Sequence, residues 1–338
     1  MTASNIPSLT GLRATAALWV VSFHVSGLWP GEMPLAGLGY LGVDLFFLLS
    51  GFVLTHVHGE RFRRDGLRAY PDFIARRVAR IFPVWLAVLA LFALKHRTLD
   101  AGDWSLYAML AQAWGIVPTQ LVNPPGWSVS LEWAGYLLFP LLAFWPLRIA
   151  GRGQALAIVL LLLAALLAGY GAAGWISLHD DEAIYPLRFV CEFTIGIALR
   201  RAIDFGRGAA SECDRLARTL GAILLSGAIV VPLIGRNLAV DMLFVTGFAV
   251  FLVLLAQADG VFSRALASPA MLWLGERSYS LYVVHWLFLE LLWGRADAGT
   301  LSRPVAAFLM VASAIAAAAF LYATVERPAR RYLARMAG

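Results

Sequence analysis

Long apolar stretches separated by short polar segments recur along the whole 338-residue chain. Because about 20 apolar residues cross a bilayer as a helix, the pattern predicts an all-α, polytopic fold with about ten transmembrane helices. The predicted spans are 12–30, 36–57, 81–95, 127–147, 154–176, 186–200, 219–235, 239–257, 275–293 and 304–324. Segment 103–117 carries Asp103, Trp104, Tyr107 and Trp114, which is typical of a helix lying at the membrane interface.

The composition agrees with a membrane protein and excludes a soluble one. Apolar residues make up 60% of the chain and charged residues 14%, against roughly 25% charged residues in soluble domains. We therefore predict one membrane domain over 1–338 without a fused soluble domain. Cys191 and Cys213 lie in an apolar stretch and a basic loop, which indicates neither a disulfide nor a thiolate metal site. We expect no bound metal.

The net charge of +6 comes from basic residues whose distribution among the loops indicates the orientation of the chain in the membrane. Most of the 27 basic residues fall in alternate loops, and the positive-inside rule then places both chain termini in the cytoplasm. The acidic run 180–182 falls on the opposite side. We expect a multi-pass protein of the cell inner (plasma) membrane that contacts the bilayer and binds no nucleic acid.

Five ionisable side chains lie inside the predicted spans: Arg13, His24, Asp44, Glu132 and His285. Each costs about 2.5–3.5 kcal/mol at mid-helix, so each is a candidate functional group. Arg13 and His24 are eleven residues apart, which places them on one helix face about 16 Å from each other. Arg13 then lies at the cytoplasmic mouth and His24 past the midplane. Snorkelling of Arg13 to lipid head groups and a hydrogen-bonded core histidine are the alternatives.

Asp44 is a candidate partner for His24. The first two spans form a predicted hairpin that turns near Pro34, and residues 24 and 44 are equidistant from that turn. A carboxylate bonded to one imidazole nitrogen would leave the other nitrogen free as a base. The alternative is a buried aspartate that pairs with another helix.

Glu132 follows the stretch 123–128, in which Pro124, Pro125 and Gly126 predict irregular backbone near the outer surface. It lies about five residues into its predicted span, at a depth not far from that of His24. An exposed carboxylate at the interface is the alternative.

Two further patterns carry candidate chemistry. Arg77 and Arg80 are one helical turn apart at the cytoplasmic mouth of the third span, where two guanidiniums suit a phosphate-bearing ligand. Attraction to anionic lipid is the alternative. Tyr279, Tyr282 and His285 share one face of a later span, where they either line a channel or make interhelical hydrogen bonds.

These residues together resemble the acyltransferase 3 family of membrane-bound O-acyltransferases over most of the chain. The order and spacing of the short motifs make the resemblance specific. The motifs are Leu9 to Arg13 with His24, Gly42 to Phe52, Arg77 to Pro83, Trp127 to Glu132, Ser278 to His285 and Glu326 to Pro328.

The resemblance implies transfer of an acyl group, commonly acetyl, from cytoplasmic acyl-coenzyme A (acetyl-coenzyme A) as co-substrate to a hydroxyl group. The acceptor would be a glycan or a related molecule, such as lipopolysaccharide, another polysaccharide or peptidoglycan. It assigns catalysis to His24, with Arg13 and the pair Arg77 and Arg80 also functionally important.

The residues themselves fit this chemistry. His24 would act as general base towards the hydroxyl, with Asp44 orienting it and the arginines receiving coenzyme A phosphates. We place Glu132, Trp127, Ser128, Tyr282 and His285 at the substrate, where Ser128, Trp127 or Tyr282 could donate to the oxyanion. A proton-coupled transporter or flippase of a glycan or lipid is the alternative function.

Overall fold

The computed structural model describes residues 6–29, 33–95, 101–115, 122–179 and 185–336. None of these residues is in a strand, so the predicted all-α class is confirmed for this part of the chain. The acidic run 180–182 lies outside the described residues.

Fourteen α-helices are formed by the described residues. They are α1 (Pro7–Ser26), α2 (Gly42–Asp65), α3 (Tyr70–Lys95), α4 (Ala101–Ala108), α5 (Gly126–Leu137), α6 (Phe139–Leu142), α7 (Arg152–Ala172), α8 (Tyr185–Asp204), α9 (Ala210–Ile234), α10 (Leu238–Leu255), α11 (Val261–Leu266), α12 (Pro269–Asp297), α13 (Arg303–Leu321) and α14 (Arg327–Met336). Short 3-10 turns cover Pro34–Leu41, Gly66–Ala69 and Pro146–Arg148, and a π-helical turn covers Tyr322–Glu326.

Helices occupy most of the predicted spans, but two predictions are wrong in detail. Segment 127–147 is not one helix, because α5 ends at Leu137 and Pro140 cannot donate the backbone hydrogen bond that would continue it. The predicted interfacial helix 103–117 is reduced to α4, which ends at Ala108.

In the part of the chain that the structure describes, five helical segments are long and apolar enough to cross a membrane: 34–95, 152–172, 210–233, 238–255 and 303–332. Helices α1, α8 and α12 have 20, 20 and 29 residues and are also long enough, but they carry more polar side chains. The chain is thus a multi-pass membrane protein. The count of ten spans and the cytoplasmic termini stay predictions.

The connection between α1 and α2 differs from the predicted hairpin. Residues 34–41 form a 3-10 helix that packs back along α1, where a Cβ atom at Gly39 would lie 2.3 Å from the Trp19 carbonyl oxygen. Its eight residues rise about 2.0 Å each. Helix α2 therefore begins beside Val20, where a Cβ atom at Gly42 would lie 2.8 Å from Cγ2 of that residue. Asp44 enters the bundle deeper than His24.

Small residues allow the helices around the site to approach closely. On α2 and α8, Cβ atoms at Gly51 and Gly196 would lie 1.9 Å and 2.2 Å from the carbonyl oxygens of Phe193 and Leu48. Glycine at such positions lets helix backbones touch inside a membrane. This contact fixes α8 against α2. It therefore sets the position of Arg188 on α8 relative to Asp44 on α2.

We predict that Gly51→Ala and Gly196→Ala each destabilise the fold by about 1–3 kcal/mol or more, because the added methyl group forces the two backbones apart. Thermal unfolding in detergent measures the effect. Gly171→Ala on α7 is the matched control, since no atom lies within 4 Å of its Cβ position. An unchanged unfolding temperature for Gly51→Ala would contradict the close contact.

Candidate active site

A cavity of about 110 Å³, which we call the arginine cavity, lies between α1, α2, α3, α5 and α12. It brings together seven of the residues singled out in the sequence. These are Arg13, Arg77, Arg80, Ser128, Glu132, Tyr279 and Tyr282, joined among others by Ser50, Tyr136 and Ser278.

Two carboxylates in or beside the arginine cavity have well-defined partners. Glu132 Oε1 accepts hydrogen bonds from Ser50 Oγ at 2.6 Å and Tyr136 Oη at 2.5 Å. Glu326, which is fully buried, forms an ion pair with Arg80 and accepts a 2.7 Å hydrogen bond from Ser280 Oγ. The π-helical turn ending at Glu326 directs this carboxylate towards α3.

Two guanidiniums in the arginine cavity are less well satisfied. The buried Nε–H groups of Arg13 and Arg77 have no hydrogen-bond partner among the described residues. Arg77 packs instead over the rings of Phe73 and Tyr136, 5.8 Å from each centroid. A buried charged donor without a partner is costly, so these groups are available to an anionic ligand.

A second cavity of about 310 Å³, the histidine cavity, contains His24. Its walls are mostly aromatic. They are formed by Val20, Phe23, His24, Tyr40, Val43, Pro124, Pro125, Trp127, His179, Tyr185, Arg188, Tyr282 and Trp286. Trp127 stacks on Tyr185 with a centroid distance of 3.9 Å, and Trp286 meets the His24 ring edge-on.

His24 pairs with His285. The distance from His24 Nδ1 to His285 Nε2 is 3.0 Å, and the two rings are stacked with a centroid distance of 5.1 Å. His285 is fully buried behind His24, and its Nδ1 lies 2.6 Å from the Tyr282 carbonyl oxygen.

The hydrogen bonds assign the tautomers of both neutral rings. A carbonyl oxygen only accepts, so the proton of His285 is on Nδ1 and its Nε2 is an acceptor. His24 Nδ1 must then donate to it, which leaves the lone pair of His24 on Nε2. This nitrogen makes no hydrogen bond within the described part of the chain. His24 thus presents a base to its cavity.

The predicted contact between Asp44 and His24 is wrong. Both Asp44 oxygens bind Arg188, at 2.8 Å from Nε and 2.5 Å from Nη2, and both side chains are almost completely buried. Glu192 lies 3.9 Å from the same guanidinium. The reason is the 3-10 connection of residues 34–41, which starts α2 deeper in the bundle and turns Asp44 towards α8.

Glu132 does not replace Asp44 as the partner of His24, because it faces the arginine cavity. No contact joins Glu132 to His24 among the described residues, and the depth predicted for Glu132 stays a prediction. His285, expected at the substrate, lies behind the candidate base. Trp127 lines the histidine cavity, Ser128 lines the arginine cavity, and Tyr282 lines both.

Three buried charged residues take part in ion pairs that the sequence did not predict: Arg188, Glu192 and Glu326. Arg188 and Glu192 lie four residues apart within an apolar span, and such a pair signals a buried charge that needs a partner. Arg188 also lines the histidine cavity. Glu326 was noted as a motif residue, but its place beside Arg80 depends on the π-helical turn.

Comparison with known proteins identifies the family of this chain. The acyltransferase 3 family model, described as an acyltransferase domain, matches residues 6–323. The chain belongs to the acyltransferase 3 family. It is an O-acyltransferase, which confirms the resemblance seen in the motifs and removes the support for a transporter.

This acyltransferase has relatives with different named roles. It is 29% identical to the acyltransferase MdmB of Streptomyces mycarofaciens, over 98% of this chain and 93% of MdmB. It is 30% identical to the exopolysaccharide production protein ExoZ of Rhizobium meliloti, over 89% of this chain and 94% of ExoZ.

It is also 24% identical to the peptidoglycan O-acetyltransferase OatA of Listeria monocytogenes, over 96% of this chain and 56% of OatA. The acyltransferase therefore spans little more than half the length of that relative. No solved structure gives a significant match.

We predict that Arg188→Met destabilises the protein by about 3–5 kcal/mol, because Asp44 and Glu192 would remain buried without a cation. The double variant Asp44→Asn, Arg188→Met should recover part of the loss in thermal unfolding. Arg215→Met is the control, since Arg215 pairs with Glu212 on an exposed surface and should leave the unfolding temperature unchanged. Equal unfolding temperatures for Arg188→Met and wild type would refute a structural role for the pair.

Proposed function

We propose that this acyltransferase moves an acyl group, most simply acetyl, from acyl-coenzyme A to a glycan hydroxyl with His24 as general base. One observation carries the proposal: a cavity with unsatisfied arginine donors adjoins a cavity in which an imidazole presents a free lone pair. The first suits a phosphate-bearing donor and the second suits activation of a hydroxyl.

The arginine cavity supports a polyanionic donor. Three guanidiniums, those of Arg13, Arg77 and Arg80, face two carboxylates, Glu132 and Glu326, which leaves an excess of positive charge. Arginine binds phosphate oxygens in a bidentate manner. In this proposal the diphosphate of coenzyme A binds Arg13 and Arg77, while Arg80 stays anchored to Glu326.

The histidine cavity supports the chemical step. Nε2 of His24 accepts the proton of the acceptor hydroxyl as its oxygen bonds to the thioester carbonyl carbon. The tetrahedral intermediate then collapses with cleavage of the carbon–sulfur bond, and the imidazolium returns the proton to the leaving thiolate. The two protons of Ser128 Oγ and Tyr282 Oη are already used in hydrogen bonds among these hydroxyls and the Pro125 carbonyl oxygen.

Trp127 is therefore the donor we assign to the oxyanion. It lines the histidine cavity, and its indole N–H has no hydrogen-bond partner in the described ranges. A donor placed in advance for the developing charge stabilises the transition state.

The proposal includes the class of acceptor and the side of the membrane from which the donor arrives. Relatives named for peptidoglycan and exopolysaccharide favour a cell-envelope glycan as acceptor. The distribution of basic residues favours the inner membrane, with acyl-coenzyme A arriving from the cytoplasm.

We predict that Arg77→Gln weakens coenzyme A binding about tenfold or more, because it removes a charged hydrogen bond worth about 1.5–3 kcal/mol. Arg77→Lys should restore binding only partly, since lysine keeps the positive charge but cannot bind a phosphate in the bidentate manner of a guanidinium. Binding to purified protein in detergent is the measurement.

Arg63→Gln is the control, because this arginine is exposed at the end of α2 and pairs with Glu60 alone among the described residues. Unchanged coenzyme A affinity for Arg77→Gln and for the double variant Arg77→Gln, Arg80→Gln would rule out the arginine cavity as the donor site.

We predict that His24→Ala lowers acetyl transfer from labelled acetyl-coenzyme A by about 10²–10⁴ while coenzyme A affinity is retained. His285→Leu should cause an intermediate loss of turnover with an unchanged KM for the donor, because His24 would lose its acceptor. His285→Gln should rescue part of it, since the amide oxygen can accept from Nδ1. Wild-type turnover in a folded His24→Ala variant would overturn the general-base role.

A further inference from the structure

Tyr282 separates the two cavities. Among the described residues it is the one that lines both the arginine cavity and the histidine cavity. Its ring lies edge-on to Phe46, with a centroid distance of 5.8 Å, and at the same distance from the His285 ring. A molecule that extends from one cavity into the other past this shared wall contacts the Tyr282 side chain.

Hydrogen bonds hold the phenol in the closed position. Tyr282 Oη lies 2.7 Å from Ser128 Oγ, and both hydroxyls lie 3.1 Å from the Pro125 carbonyl oxygen. Neutral hydrogen bonds of this kind are individually weak and can be exchanged. These hydrogen bonds fix the position of the Tyr282 ring, and the ring can leave that position when they break.

The same residue is connected to the candidate base. The Tyr282 backbone carbonyl is the acceptor that assigns the His285 tautomer, whereas the Tyr282 side chain forms the partition. Because helix α12 supplies both groups, the side chain can rotate without removing the backbone acceptor from His285.

We propose that Tyr282 is a gate that opens for the thioester arm of the donor and limits the cross-section of the acyl group that reaches His24. This inference rests on the proposed function, because it assumes that the donor phosphates bind in the arginine cavity. An unbranched acyl chain passes where the phenol swings aside, while a branched chain meets Phe46 and the Pro125 backbone. When closed, the gate also keeps water at His24 away from the thioester.

Hydrolysis without an acceptor tests the gate. Water adds to the thioester carbonyl, the carbon–sulfur bond breaks, and the proton taken by His24 goes to the leaving thiolate, which yields a carboxylic acid and free coenzyme A. The probes are acetyl-coenzyme A and isobutyryl-coenzyme A, and the released thiol is the readout for purified protein in detergent.

Tyr282→Phe should raise acetyl-coenzyme A hydrolysis about fivefold, because the hydrogen bonds that close the gate are lost, and should leave the ratio of the two substrates unchanged. Tyr282→Ala should raise hydrolysis further and shift the ratio towards isobutyryl-coenzyme A about tenfold, because the ring is gone. The double variant Tyr282→Ala, His24→Ala should return to background. Tyr170→Phe, a buried tyrosine on α7 that lines neither cavity, should match wild type.

Wild-type rates and ratios in folded Tyr282→Phe and Tyr282→Ala would overturn the gate, and so would a rise in hydrolysis that survives removal of His24. Both variants are checked by thermal unfolding, and the conservative phenylalanine variant keeps the test valid if alanine unfolds the protein. Failure of the proposed function gives a different result: the wild-type protein would neither bind coenzyme A nor transfer its acyl group.

Discussion

The cost of burying charge within an apolar bundle determines where the ionisable residues of this protein lie. Asp44 is satisfied by Arg188, and Arg80 by Glu326, so these groups stabilise the packing of α2 with α8 and of α3 with the end of the chain. Arg13 and Arg77 differ, because each retains a buried donor without a partner among the described residues. Both line the arginine cavity, which is the site proposed for the donor phosphates.

Helix α12 joins the structural pairs to the proposed chemistry. Ser280 binds Glu326, Tyr282 lines both cavities, and His285 Nε2 accepts a hydrogen bond from His24 Nδ1. These residues belong to one continuous helix, so Ser280, Tyr282 and His285 keep a constant spacing. Packing of α1 against α12 depends on close contact as well, since a Cβ atom at Gly275 would lie 2.0 Å from the Thr10 carbonyl oxygen. Helices carry most of the residues of both cavities, and Pro124, Pro125 and His179 add turns to the wall of the histidine cavity.

Hydropathy and motif spacing predicted most helices, the arginines of the arginine cavity and His24 of the histidine cavity, because apolar length and buried charge are visible along the chain. They could not predict the partner of His24. A simple hairpin places His24 and Asp44 at equal depth in the membrane. Residues 34–41 instead return along α1 as a 3-10 helix and displace Asp44. The roles of Arg188 and Glu326 depend on helix rotation and on a π-helical turn, neither of which has a periodic signal. His285 was recognised as a candidate, but its place behind His24 required the packing of α1 on α12.

In the proposed mechanism one ligand connects the arginine cavity to His24. The structure of the wild-type protein with bound coenzyme A shows whether it does. We predict that its diphosphate contacts Arg13 and Arg77, with the pantetheine arm directed past a displaced Tyr282 and the sulfur in the histidine cavity near Nε2 of His24. Coenzyme A bound outside the arginine cavity, or bound there with its thiol directed away from Tyr282, would contradict this mechanism.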